Sequence, residues 1–60
     1  MILITPIISH TNQRAYMVAE YDETRVRNRA AEDPRERHPV KRIIGSASTL
    51  PGARALANDA

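Results

Sequence analysis

The chain has no cysteine, no tryptophan and no phenylalanine, and its only aromatic residues are Tyr16 and Tyr21. The missing cysteine excludes a disulfide framework and fits a reducing compartment. The missing Phe and Trp leave any core poor in large groups. Sixty residues make a single small domain, 1–60. A domain of that size buries only about 60% of its unfolded surface. Scaffolds this small usually lean on a disulfide, a metal or a partner subunit. With disulfides excluded, the alternatives are a folded monomer, a homodimer, or a complex that completes the core.

Long apolar runs are missing too. Met1 to Ile8 is apolar, but Pro6 interrupts it, no positive charge precedes it, and it is too short to span a bilayer. The sequence therefore points to a cytoplasmic protein without a membrane partner.

What the chain does have is arginine. Seven of its nine basic residues fall between Arg25 and Arg42: Arg25, Arg27, Arg29, Arg35, Arg37, Lys41 and Arg42. Asp22, Glu23, Glu32, Asp33 and Glu36 are interspersed, so the segment is diluted rather than a pure basic arm.

The pattern reads as a small α+β domain. Met1–Ser9 is rich in β-branched residues and predicts a strand, with Pro6 placing it at a sheet edge or a bulge. His10–Gln13 is a turn. Arg14–Tyr21 predicts a second strand, with Ala15, Met17, Ala19 and Tyr21 as its core face. Thr24–Ala31 is open between two readings. As a strand, it lines Arg25, Arg27 and Arg29 along one face. As a helix, it is capped by Asp22 and stacks Arg25 on Arg29, but its apolar stripe is thin. The strand is preferred. Glu32–Pro39 reads as a loop, because Pro34 and Pro39 bias the residues before them away from helix. Val40–Ser46 is a further strand centred on Ile43 and Ile44. A last helix follows Ser48 or Thr49 as N-cap, with Pro51 in its first turn and Leu50, Ala53, Leu56 and Ala57 as its apolar stripe. The expected architecture is an antiparallel sheet of three to four strands with one C-terminal helix packed on one face.

Motifs for chemistry are weak. The junction Ile44-Gly45-Ser46-Ala47-Ser48-Thr49 could present backbone N–H groups to an anion, yet it lacks the spacing of a P-loop, and an ordinary helix cap explains it. His10 and His38 lie in separate turns, and two histidines do not make the four-ligand set of a structural zinc site. Ser9 beside His10 is no nucleophile–base pair without an orienting third group. Asp22-Glu23 and Glu32-Asp33 are adjacent carboxylates in turns, where acid–base catalysis would need them facing each other in a cleft. No enzyme, cofactor or metal is expected from these residues.

The tail Gly45-Ser46-Ala47-Ser48-Thr49-Leu50-Pro51-Gly52-Ala53-Arg54-Ala55-Leu56-Ala57 resembles the strand–cap–helix end of HicB-type antitoxin domains. There a Gly-x-Thr turn leads from a small sheet into an Ala-bearing helix. Gly52 stands where that family commonly has an acidic residue. The resemblance implies the sheet-plus-helix architecture and allows an antitoxin-like subunit.

The functional expectation is a small protein-binding module that occludes a surface of a partner protein, using Arg25, Arg27, Arg29, Arg35, Arg37, Lys41 and Arg42. Guanidinium groups suit acidic protein surfaces and phosphates alike. Nucleic acid is therefore the alternative partner, and a structural subunit of a larger assembly is a third reading. Very short, cysteine-free chains of this kind are common among phage and mobile-element inhibitors, including anti-CRISPR proteins.

Overall fold

In the computed structural model, which describes residues 1–60, three strands and a C-terminal helix account for most of the chain. Strand β1 (Ile2–Ile8) pairs antiparallel with β2 (Arg14–Tyr21), and β2 pairs antiparallel with β3 (Val40–Ala47), so β2 is the central strand. Helix α2 (Leu50–Asp59) packs across all three strands. A single turn of helix, α1 (Pro34–Arg37), lies in the long connection between β2 and β3. This is the α+β arrangement expected from the sequence, with three strands.

The β1–β2 hairpin closes on Asn12, whose φ of 63° is the left-handed geometry that asparagine tolerates. Its hydrogen-bonding parity is fixed at both ends. Met1 and Tyr21 exchange bonds of 2.7 and 2.9 Å, and the Ser9 N–H donates to the Gln13 carbonyl at 2.8 Å. Odd-numbered β1 residues therefore bond to β2, and even-numbered ones face outward. Pro6 falls on the outward side, where its missing N–H costs no ladder bond.

The side of the sheet that α2 covers is set by glycine. A Cβ at Gly45 would lie 3.4 Å from Cδ1 of Leu56, so this position points at the helix. Gly45 is opposite Val18, and Val18 is opposite Ile4. That trio forms the floor under α2, and Val18 and Ala53 are both fully buried. The helix begins where Thr49 caps it, its hydroxyl accepting from the Gly52 N–H at 3.2 Å. Thr49 rather than Ser48 is thus the cap.

The expected core face of β2 is buried at Ala19 and Tyr21, and the opposite face is buried too, at Val18. Ala19 and Tyr21 lie on the side away from α2. The residues 22–39 return over that second face, where the Arg35 side chain bonds to Thr5. The long connection thus supplies a second layer over β1 and β2, while β3 stays exposed on that face at Val40 and Ile43.

The expected strand over 24–31 does not form, and neither does the helical alternative. Side chains there bond to nearby backbone instead. Asp22 Oδ1 accepts from the N–H and hydroxyl of Thr24, at 3.0 and 2.6 Å. Asn28 Oδ1 accepts from the Ala30 N–H at 3.1 Å, and Asp33 Oδ1 from the Arg35 N–H at 2.9 Å. These local turns compete with a ladder and win. Asp33 also caps α1, with Pro34 at the first helical position, so part of the expected loop 32–39 is helical.

Candidate partner-binding surface

The seven basic residues separate into two groups. Arg35 is half-buried and used internally: Nε donates to Thr5 Oγ1 at 2.7 Å, Nη2 to the Ile4 carbonyl at 3.0 Å, and Nη1 lies 3.4 Å from the Asp33 carboxylate. Arg42 sits opposite Glu20 on paired strands, its Nε donating to Oε1 at 2.8 Å. Arg37 donates from Nη1 to the Arg29 carbonyl at 3.4 Å.

Arg25, Arg27, Arg29 and Lys41 are exposed, and none forms a salt bridge. The first three sit on an ordered loop. The N–H groups of Arg27 and Asn28 both donate to the Arg37 carbonyl, at 2.7 and 3.3 Å. His38 Nδ1 lies 2.7 Å from the Arg25 carbonyl. A carbonyl only accepts, so Nδ1 carries the proton in this contact. The backbone is thus held while the guanidinium groups extend outward. Val26, between the first two arginines, is 45% exposed. Arg27, Asn28, Arg35 and Glu36 line a shallow polar groove of about 370 Å³ beside it.

Two carboxylates are held below their usual range. The Arg42 guanidinium hydrogen-bonds Glu20 and lowers its pKa, with burial opposing and Lys41 adding to the effect. The hydroxyl and N–H of Thr24 do the same for Asp22. Both stay ionised at neutral pH, so they offset part of the local positive charge. No group of three or more His, Asp or Glu side chains is placed to hold a metal ion, and no helix is long and apolar enough to cross a membrane.

Comparison with protein-family models, curated proteins and solved structures finds no match to this chain. The likeness of its tail to HicB-type domains is a likeness of local strand–cap–helix pattern.

Two surface features escape the sequence. The first is an apolar groove of about 360 Å³ at the hairpin end, lined by Pro6, Ile7, Ile8, Arg14, Ala15 and Tyr16. The second is on β3. The β2–β3 register shifts twice, and the unpaired residues are Ile44 and Lys41. Ile43 therefore sits opposite Ala19 yet stays 67% exposed, and Val40, opposite Tyr21, is 49% exposed. Alternation along a regular strand does not foresee either.

Proposed function

We propose that this chain is a non-enzymatic binding module that docks on an acidic surface of another protein and occludes it. One observation carries the reading. Arg25, Arg27 and Arg29 project from a backbone fixed by Arg37 and His38, and none of them forms a salt bridge within the chain, Asp22 being the one carboxylate that feels the charge of Arg25. Charges held out in this way, without internal use, suit an external anion. Preorganising the loop lowers the ordering cost of binding. Exposed Val26 between two arginines adds an apolar anchor to a polar contact.

Nucleic acid would meet the same guanidinium groups. Protein is favoured because the loop 22–39 contains no Phe, Tyr or Trp on which a base could stack, and its one imidazole, His38, is held against the Arg25 carbonyl. Tyr21 is buried, and Tyr16 lies in the hairpin-end groove.

The test is an affinity capture from host lysate, with nuclease-treated and untreated halves, using the wild type and an Arg25→Ala/Arg27→Ala/Arg29→Ala variant. A stoichiometric protein that survives nuclease and is lost with the triple variant supports the reading. A partner that disappears with nuclease, or one retained by the triple variant, overturns it.

A further inference from the structure

The two edges of the sheet differ. On β1 the outward carbonyl of Ile4 is occupied by Arg35, and the outward N–H at position 6 is absent because the residue is proline. That edge is interrupted at both central outward positions. On β3, no side chain of the molecule donates to or accepts from the strand's backbone, and the strand carries two exposed aliphatic residues, Val40 and Ile43. Lys41 and the two bulges work against a continuous ladder on this edge, so what it offers a partner is the apolar surface of Val40 and Ile43.

The surface area points the same way. A compact monomer of 6.7 kDa exposes about 3,900 Å². This chain exposes 4521 Å², roughly 600 Å² more. One partner's share of an ordinary protein interface is about 800 Å². The excess is therefore of the size that one docked subunit removes. Only five residues, Val18, Ala19, Tyr21, Ala31 and Ala53, are buried in the isolated chain.

We propose that two copies of the chain associate about a two-fold axis at β3, with Val40 and Ile43 of one protomer packed against the same strand of its partner. A two-fold contact uses the same patch on both subunits and closes on itself. It would cover the β3 edge, and because the contact closes on itself, assembly stops at the dimer. With the axis near Ile43, the two Lys41 side chains lie four residues apart along antiparallel strands, about 13 Å. That exceeds the screening length of about 8 Å at physiological salt, so their repulsion is weak. The bulges at Ile44 and Lys41 interrupt the backbone, so the contact rests on the aliphatic side chains more than on a long hydrogen-bonded ladder.

This proposal is independent of the arginine loop and fails or stands apart from it. Sedimentation velocity of the full chain over a wide concentration range is the test, run on the wild type, Ile43→Asp and Ile8→Asp. Ile8 is 64% exposed at the other edge and serves as the control. The expected result is a concentration-dependent dimer whose dissociation constant rises about 30-fold or more in Ile43→Asp and does not change in Ile8→Asp. Circular dichroism should show both variants folded, since neither residue is in the core. A wild type that stays monomeric throughout overturns the proposal. So does a dimer indifferent to Ile43→Asp, or one dissociated by Ile8→Asp.

Discussion

Arg35 donates from Nη2 to the Ile4 carbonyl at 3.0 Å, across 31 positions of sequence. The same guanidinium reaches Thr5 Oγ1 from Nε at 2.7 Å. One side chain thus fastens the 22–39 connection to the sheet and occupies an outward carbonyl of the β1 edge. Arg35→Ala should lower stability by about 1.5–3 kcal/mol, the range for hydrogen bonds from a charged donor. It should also raise the tendency to aggregate, because an edge carbonyl is freed. Arg35→Lys should recover only part, since an ammonium cannot present two donors in a fixed fork. Urea denaturation, with light scattering after heating, measures both effects. A fully stable, non-aggregating alanine variant would show that the clamp contributes nothing.

Arg25, Arg27 and Arg29 should behave in the opposite way. Their side chains are exposed and make no salt bridge, and only their backbone groups hold the loop. Replacing all three by alanine should leave stability within about 0.5 kcal/mol. Their contribution should appear in binding, as an affinity that weakens with salt in the wild type and less steeply in the variant. Thermal unfolding of the triple variant, beside its binding at two ionic strengths, separates the roles. A large fall in melting temperature would mean that the side chains pack.

The sequence made most of this fold legible. The span Arg14–Tyr21 is read directly from its alternation, and the last helix from its cap and its stripe of Leu50, Ala53, Leu56 and Ala57. Pro6 correctly marked an edge strand, because only an outward position tolerates its missing N–H. Two things stayed hidden. Arginine at every second position from 25 to 29 imitates strand periodicity, but Asp22, Asn28 and Asp33 bond to neighbouring backbone and bend the chain into turns. The second concerns roles that depend on distant partners. Nothing in the spacing distinguishes Arg35, committed to Ile4 and Thr5, from Arg27, which is free. The register that sets Ile43 opposite Ala19 likewise depends on a bulge at Ile44, which has no composition signal here.

Gly45 is limited by space and not by its backbone angle, since no glycine has a positive φ. An alanine Cβ there would meet Leu56 Cδ1 at 3.4 Å, an ordinary contact. Gly45→Ala should therefore be neutral or stabilising by up to about 1 kcal/mol, because it removes unfolded-state freedom. Gly45→Val should cost about 1–3 kcal/mol, its extra methyl groups lifting α2 from the sheet. Equal stability of the two variants would show that α2 does not press on this position.

Val18 lies beneath the helix with no exposed surface. Val18→Ala should cost about 2 kcal/mol, the sum of lost burial and the cavity left behind. In a domain this small such a loss is a large part of the total. The expected result is a substantially unfolded population near physiological temperature, visible in the amide dispersion of a nitrogen–proton spectrum. A native-like spectrum would mean that α2 settles into the space.

Acid should loosen the β2–β3 pairing at Glu20. Its carboxylate is held below the ordinary 4.5 chiefly by the hydrogen bond from Arg42. Asp22 is likewise held below its ordinary 3.8, by Thr24. Both are depressed in the folded chain, so their stabilisation is complete above those ordinary values. It is lost as pH falls through the lower folded ones, when protons bind more readily to the unfolded state. Arg42→Ala should move the Glu20 midpoint back up towards its ordinary value and leave Asp22 nearly unchanged, because Arg42 is not among the groups holding Asp22 down. Thr24→Val should do the reverse. Carboxyl carbon chemical shifts followed between pH 2 and 6 would resolve each group separately, across the range where carboxylates titrate. A Glu20 midpoint insensitive to Arg42→Ala would show that the pair is too solvated to couple the two strands.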